Sequence, residues 1–193
     1  AKRRCSACYS DSDGGKFSRR FSGEAIEKIG KSTRKRDVSF RSKIKDNVGL
    51  TNFEIEKLMK NVKSFRGVFS HDMIPPILGD KKTSMIVNYD FYGNQGTHWV
   101  AIFVNPAKNF TEVFDSYGLP PSNIIQMKLK QYMNKPIVYN SGRIQALTSK
   151  RCGWYAMDYI KKRERNVEPE DIIFQYIPNG SIKNDSILMK YLA

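Results

Sequence analysis

Four side chains with the chemistry of acyl transfer occur in the chain order His98, Asp115, Gln145 and Cys152. A thiol attacks a carbonyl carbon as the thiolate, so it needs a neighbouring base, and that base needs a partner that fixes its tautomer. Cys152, His98 and Asp115 are residues of the right types for these three roles. A side-chain amide and the backbone N–H of the nucleophile can hold the developing oxyanion. Gln145 and the Cys152 N–H are therefore the predicted oxyanion donors.

Short motifs surround each of these residues. They are His98-Trp99, Asp115-Ser116-Tyr117-Gly118, Gln145 seven residues before Cys152, and Cys152-Gly153 at the start of a predicted helix. As an ordered set they resemble the motifs of the adenovirus-type and ubiquitin-like-protein proteases. The interval of 17 residues between His98 and Asp115 is typical of the adenovirus-type members. Residues 50–55, 65–70 and 86–88 also resemble the small viral members, including those of virophages and Maverick or Polinton elements, so the likeness spans about residues 50–160.

The resemblance implies an adenain-like cysteine protease fold. This is an α+β domain with a central mixed β-sheet flanked by helices, and the nucleophile Cys152 lies at the N-terminus of a core helix. The implied activity is peptide hydrolysis after small, Gly-type residues, with Asp115 orienting His98 and with Trp99 and Gly153 in the substrate-binding site. The implied substrates are capsid and core precursors cleaved during virion maturation. No metal or cofactor is expected, although the resemblance allows activation by DNA or by a peptide.

Two other functions fit the same residues. A deconjugating protease for ubiquitin-like modifiers would use the same chemistry, but the short interval from His98 to Asp115, the small size and the basic charge favour a maturation protease. A nucleic-acid-binding structural protein with a vestigial site is the second alternative. The complete set of four polar residues argues against lost catalysis.

Each site residue also has an ordinary structural interpretation. Cys152 could be a small buried hydrophobe, Asp115 could cap a turn, and Trp99 could belong to the core. Gln145 could lie on the surface. His71 is the other histidine of the chain, but it lies close to Pro75-Pro76, so His98 is the preferred base.

The net charge of +14 is concentrated at the start of the chain. Residues 1–45 hold 14 Lys or Arg and five Asp or Glu, which is a net charge of +9. Basic clusters among Ser and Gly are typical of an extension, so we expect a basic, partly flexible extension over residues 1–48 and the protease domain over residues 49–193. Such clusters attract polyanions. They predict a nucleic acid partner, with a solubilising tail as the alternative.

Composition favours one domain that acts away from membranes. A chain of 193 residues with 40% hydrophobic residues suits a single core. We find no apolar run of about 18 residues, and the first residues are basic and polar rather than a secretory signal. We therefore expect a protein that is not secreted. The resemblance to small viral proteases implies action in a virion or at assembly sites in the host-cell cytoplasm or nucleus.

The first part of the chain carries two further motifs. Cys5 and Cys8 form a lone C-x-x-C pair, and zinc requires four ligands, so a redox-sensitive pair is favoured over a zinc knuckle. Three cysteines in total argue against a disulfide framework. Gly14-Gly15 offers a site for self-processing after Gly15, with a flexible turn as the alternative.

Periodicity and caps predict the elements that must position the four residues. Thr51 and Glu54 have capping-box spacing, which predicts a helix over 51–62. A second helix begins at Cys152-Gly153, where the helix N-terminus favours the thiolate. Pro75-Pro76 should end a short helix or turn over 69–74. The other predicted elements are strands over 84–89, 98–104, 111–115 and 137–139 and helices over 120–132 and 181–192.

Overall fold

The computed structural model describes residues 47–77, 81–133 and 135–192. Within these ranges the strands are β1 (Phe65–Ser70), β2 (Thr83–Asn88), β3 (Trp99–Val104), β4 (Thr111–Phe114) and β5 (Ile137–Tyr139). The helices are α1 (Asn52–Met59), α2 (Asn123–Tyr132), α3 (Cys152–Glu164), α4 (Pro169–Phe174) and α5 (Lys183–Leu192).

The strands form one mixed sheet in the order β1-β2-β3-β4-β5. The outer pairs, β1 with β2 and β4 with β5, are parallel, whereas β3 is antiparallel to both of its neighbours. The carboxyl ends of four strands and the amino end of β3 therefore meet at the same edge of the sheet. Residues that follow β2, β4 and β5 come together there with the residue that precedes β3.

Helices cover both faces of the sheet. In β3, Ala101 and Phe103 belong to the apolar core under α3, and Val100 and Ile102 belong to a second core against α2. Every residue of β3 is buried, as expected for a central strand covered on both sides. This architecture confirms the predicted α+β arrangement of a mixed sheet flanked by helices.

The start of α1 follows the predicted capping box. The Glu54 N–H donates to Thr51 Oγ1 at 3.3 Å, and the Thr51 N–H donates to a carboxylate oxygen of Glu54 at 2.9 Å. The helix ends at Met59, three residues before the predicted end. The chain turns there because the Val62 N–H bonds to the Met59 carbonyl at 2.9 Å, which leads directly into β1.

Two elements differ from the sequence-based prediction. The expected helix or turn over 69–74 is wrong at its start, because Phe69 and Ser70 are the last residues of β1. The strand is hard to recognise, since Gly67 interrupts the alternation and the register with β2 shifts between Phe65 and Val68. Helix α4 was not predicted, although Pro169 in its first turn, followed by acidic residues, is a typical helix start.

A buried ion pair joins α3 to the middle of the sheet. Arg163 donates through Nε and Nη2 to the two carboxylate oxygens of Glu112 in β4, at 2.8 and 2.7 Å. The Tyr159 hydroxyl donates to Glu112 as well, at 2.8 Å. Both charged side chains are almost fully buried. These bonds satisfy the Glu112 carboxylate and fix the C-terminal half of α3 against β4.

The first described residues contact the loop before Cys152 and the helix that begins there. Asn47 bonds with the Thr148 carbonyl and the Lys150 N–H, and the Val48 carbonyl accepts from the Trp154 indole at 3.5 Å. Residues 1–46, with Cys5, Cys8 and Gly15, lie outside the described residues, so the predictions made for them stay predictions. None of the helices described between residues 47 and 192 is long and apolar enough to cross a bilayer.

Candidate active site

The edge where the strands meet brings His98 and Asp115 together. Asp115 directly follows β4, and His98 directly precedes β3, where its carbonyl accepts from the Tyr89 N–H at 3.1 Å. His98 Nε2 lies 2.8 Å from Asp115 Oδ1. The Asp115 side chain is fully buried and the His98 side chain is 8% exposed. A carboxylate in this position holds one ring nitrogen and leaves the other for chemistry.

Neighbouring loops hold Asp115 in place. The Tyr117 N–H donates to Asp115 Oδ1 at 2.7 Å, and the Tyr89 hydroxyl donates to Oδ2 at 3.3 Å. Asn140, directly after β5, accepts from the Asp115 N–H at 2.9 Å and donates to its carbonyl at 2.6 Å. Because β4 and β5 are parallel, this amide locks the Asp115 backbone from the neighbouring strand end. The sequence analysis gave Tyr117 no role beyond its place in the motif after Asp115, and it did not single out Tyr89 or Asn140. The position of Asn140 directly after a predicted strand was the signal for it.

The Nδ1 atom of His98 is buried. Cys152 is the side chain beside it whose charge and hydrogen-bonding capacity act on the ring. Burial lowers the pKa of His98, but the charge and hydrogen bond of Asp115, with those of Cys152, raise this pKa to about 10. The raised pKa favours the imidazolium, and an imidazolium next to a thiol favours the thiolate.

Cys152 is the first residue of α3, as predicted, and is 1% exposed. A Cβ added at Gly153 would lie 3.2 Å from Trp99 Cδ1 and 3.3 Å from Ile55 Cδ1, so the glycine lets the start of α3 pack closely on Trp99. The Trp99 indole donates to the Leu50 carbonyl at 3.1 Å, and the residue is 3% exposed. Trp99 and Gly153 thus pack against each other at the start of the helix that carries Cys152. Their substrate-binding role stays a prediction.

Gln145 lies in the loop that leads to Cys152 and is fully buried. Its Oε1 accepts from Ser116 Oγ at 2.6 Å. Its Nε2 donates to the Ser149 carbonyl at 2.8 Å and to the Tyr117 hydroxyl at 3.3 Å. The backbone N–H of Gln145 donates to the Ser116 carbonyl at 2.9 Å, which ties this loop to the segment after Asp115. The surface interpretation of Gln145 is therefore wrong, while its oxyanion role stays a prediction.

The turn after Asp115 requires a glycine at position 118. Gly118 has φ +67°, and a Cβ there would lie 2.7 to 2.9 Å from the backbone of residues 141–143. The loops after β4 and β5 can approach this closely only because position 118 has no side chain. The approach keeps Tyr117 next to His98, with ring centroids 4.8 Å apart.

His71 does not join the site. It packs edge-on against Phe91, with ring centroids 4.7 Å apart, and burial lowers its pKa. Neither of its ring nitrogens has a hydrogen-bond partner among the described residues. Asp115 contacts His98 and not His71, which supports the choice of His98 as the base.

Comparison with solved structures gives matches that include two structures of the ASFV pS273R protease, each 18% identical to this chain. The first has a TM-score of 0.53 and covers 89% of this chain and 82% of that chain. The second has a TM-score of 0.51 and covers 77% and 68%. The chain has the pS273R protease fold. That match confirms the predicted α+β fold with a mixed sheet flanked by helices.

A further match to this chain is the C-terminal Ulp1 protease domain in complex with SMT3, the yeast ortholog of SUMO. It is 14% identical, has a TM-score of 0.45, and covers 78% of this chain and 79% of that chain. No protein-family model matches the sequence, and no curated protein matches it.

Proposed function

We propose that the protein is a cysteine endopeptidase in which Cys152 is the nucleophile and His98 the general base and acid. The observation that carries the proposal is the buried pair of His98 and Asp115 beside Cys152 at the start of α3, at 2.8 Å between Nε2 and Oδ1. The likeness of the fold to a viral protease supports the same reaction class.

The proposed reaction begins from the ion pair of the Cys152 thiolate and the His98 imidazolium. The thiolate attacks the carbonyl carbon of the scissile bond, and the peptide oxygen becomes an oxyanion. His98 Nδ1 then protonates the leaving amine, so that the C–N bond breaks and an acyl-enzyme remains. Neutral His98 takes a proton from water, whose oxygen attacks the thioester and releases Cys152. Asp115 orients the ring through Nε2 in every step.

Gln145 Nε2 and the Cys152 N–H are the proposed oxyanion donors. The first N–H groups of a helix have no acceptor within the helix, so the Cys152 N–H points out of α3. The Gln145 bond to Tyr117, at 3.3 Å, is the longer of its two donations. An oxyanion would replace this longer bond at little cost, because the bond to the Ser149 carbonyl keeps the amide oriented.

We also propose that the substrates are proteins cleaved after Gly-type residues, namely capsid and core precursors of a virus or virus-like element. This narrower proposal rests on the resemblance of the motifs to small viral proteases. The chain charge of +14 supports nucleic acid as a second partner, with action in the virion or at assembly sites in the host cell.

A peptide library with Gly-Gly and Gly-X-Gly sites tests both levels of the proposal. Wild-type protein and the Cys152→Ala variant are compared with and without double-stranded DNA. Cleavage after Gly by the wild type alone supports the endopeptidase, and acceleration by DNA that weakens with salt supports the nucleic acid partner. Equal cleavage by the variant would overturn the assignment of Cys152. Labelling by a modifier-derived vinyl sulfone without peptide cleavage would instead favour deconjugation.

A further inference from the structure

Asp185, near the start of α5, contacts three residues around the nucleophile. Its Oδ1 accepts from Ser149 Oγ and from the Tyr155 hydroxyl, each at 3.0 Å, and its Oδ2 accepts from Arg151 Nε at 3.2 Å. These donors lie three residues before, one residue before and three residues after Cys152. One buried carboxylate thus holds the chain on both sides of the nucleophile.

The same C-terminal segment supports the loop at Gln145. The Ser149 residue that donates to Asp185 also accepts from Gln145 Nε2 through its carbonyl, at 2.8 Å. Asn184 Nδ2 donates to the Ile144 carbonyl at 2.7 Å. A Cβ at Gly180 would lie 2.5 Å from the Gln145 carbonyl oxygen, so the two backbones touch.

The loop needs this support because residues 140–151 form neither helix nor strand. A segment without a hydrogen-bond ladder takes its geometry from the side chains that hold it. Arg151 adds an electrostatic reason, because it is 5% exposed and Asp185 is its carboxylate partner. Without Asp185 a buried guanidinium would be left unpaired next to Cys152.

We propose that Asp185 is a positioning residue that fixes Cys152 and Gln145 relative to His98, through Ser149, Arg151 and Tyr155. The inference rests on the proposed function and extends it to a part of the chain outside the motifs. Asp185 touches no reacting atom in this proposal. Its effect is on the distance and direction of the thiolate and of the oxyanion amide.

Asp158, which lies on α3 together with Cys152, provides a matched control for Asp185. It is a buried carboxylate that accepts from a lysine, Lys162, and from the hydroxyl of Tyr176, each at 2.8 Å. Asp185→Asn and Asp158→Asn therefore each remove the charge of a carboxylate that pairs with a cation and a tyrosine. Only the first carboxylate contacts residues that flank Cys152.

The test compares both variants by thermal unfolding, by kcat and KM for a Gly-Gly peptide, and by the pH profile of Cys152 alkylation with iodoacetamide. Alkylation is followed on the Cys152 peptide by mass spectrometry, so that Cys5 and Cys8 do not interfere. We expect Asp185→Asn to lower kcat by about tenfold or more and to displace the alkylation profile. Asp158→Asn should keep kcat within about threefold and leave the profile in place.

Tyr155→Phe and Tyr176→Phe form a milder pair in case a carboxylate variant does not fold. Each removes one phenol hydroxyl, from Asp185 or from Asp158 respectively. A loss of kcat with Tyr155→Phe alone supports the inference. The inference would be overturned if kcat fell equally in Asp185→Asn and Asp158→Asn, or equally in Tyr155→Phe and Tyr176→Phe. An unchanged pH profile of Cys152 alkylation in Asp185→Asn would also overturn it. If wild-type protein cleaves no peptide, the proposed function fails, whereas alkylation still decides the role of Asp185.

Discussion

The two ends of α3 carry buried polar side chains that are used in opposite ways. At the C-terminal end, Glu112 accepts three bonds, two from Arg163 and one from Tyr159. At the N-terminal end, the buried His98 ring lies 2.8 Å from Asp115 Oδ1 through Nε2, and the Cys152 side chain also acts on the ring. Arg163 and Glu112 form a pair of fixed charges, whereas His98 and Cys152 are groups that can exchange a proton, so the chemistry is expected at the N-terminal end.

This comparison assigns a structural role to the C-terminal end of α3 and a chemical role to its N-terminal end. Satisfied charges at the end near Glu112 stabilise the contact between α3 and the sheet, and their loss should affect folding. The end near Cys152 keeps the buried His98 ring between a carboxylate and the Cys152 side chain, an arrangement that is costly to bury and useful for acyl transfer. Variants at the two ends should therefore separate stability from activity.

Removal of the nucleophile is expected to have the largest effect. Cys152→Ala should abolish peptide cleavage because no other described group can attack the carbonyl from that position, and the melting temperature should change little. Steady-state cleavage assays check this. Residual activity above about 1% of wild type would show that the nucleophile is misassigned.

The two histidines provide the control for the same experiment. His98→Ala should be nearly as inactive as Cys152→Ala, because the thiol then has no neighbouring base and the leaving amine has no proton donor. His71→Ala should keep its activity per folded molecule, since His71 lies outside the site. Comparable losses of activity in His98→Ala and His71→Ala would contradict the choice of His98 as the base.

Arg163→Met tests the scaffold end of α3. It leaves the Glu112 carboxylate buried without its cation and should lower the free energy of unfolding by about 3 to 5 kcal/mol. Urea unfolding measures the loss, and activity per folded molecule should stay close to wild type. Arg165→Met is the control, since Arg165 is exposed and its loss should cost less than about 0.5 kcal/mol. A loss of activity per folded molecule in Arg163→Met would contradict the prediction that this end of α3 affects stability alone.

Asp115→Asn should lower kcat/KM by about tenfold to a hundredfold, less than the loss of His98, because an amide oxygen can still accept from Nε2. Burial lowers the pKa of His98, but Asp115 and Cys152 raise it to about 10 in the wild type, so Asp115 favours the imidazolium. The variant loses this stabilisation, and the alkaline limb of its pH–rate profile should move to lower pH. Asp171→Asn removes an equal charge from α4 and should leave the limb in place. If the alkaline limb of the pH–rate profile does not move in Asp115→Asn, Asp115 does not control the pKa of His98.

Tyr89→Phe should have the smallest effect. It removes a 3.3 Å bond to Asp115 Oδ2, while His98 and Tyr117 keep their contacts with Oδ1. We expect a loss of about threefold in kcat/KM, because one neutral donor to a carboxylate contributes modestly. Tyr92→Phe, at a residue that is 77% exposed, is the control. A larger loss than that of Asp115→Asn would show that Tyr89 acts directly on substrate.

Elements with a strong local signal were predicted from the sequence nearly residue by residue. Ser122 caps α2 as the predicted start of that helix implies, and β5 has its predicted bounds. Element β1 was missed because its pairing lies on one side only and Gly67 breaks its pattern. Helix α4 is short, so its periodicity is too weak to stand out.

By itself the sequence determined the residue types, their order, the position of Cys152 at a helix start and the presence of short central strands. These properties depend on neighbours within a few residues along the chain. The tertiary structure alone decided that Nε2 of His98 faces Asp115, that Asn140 clamps the backbone of Asp115 and that Asp185 reaches the loop before Cys152. The last two contacts join residues 25 and 34 positions apart in the chain. Contacts between residues this far apart depend on the order of the strands and the packing of the helices. The spacing of neighbouring residues in the sequence does not determine either.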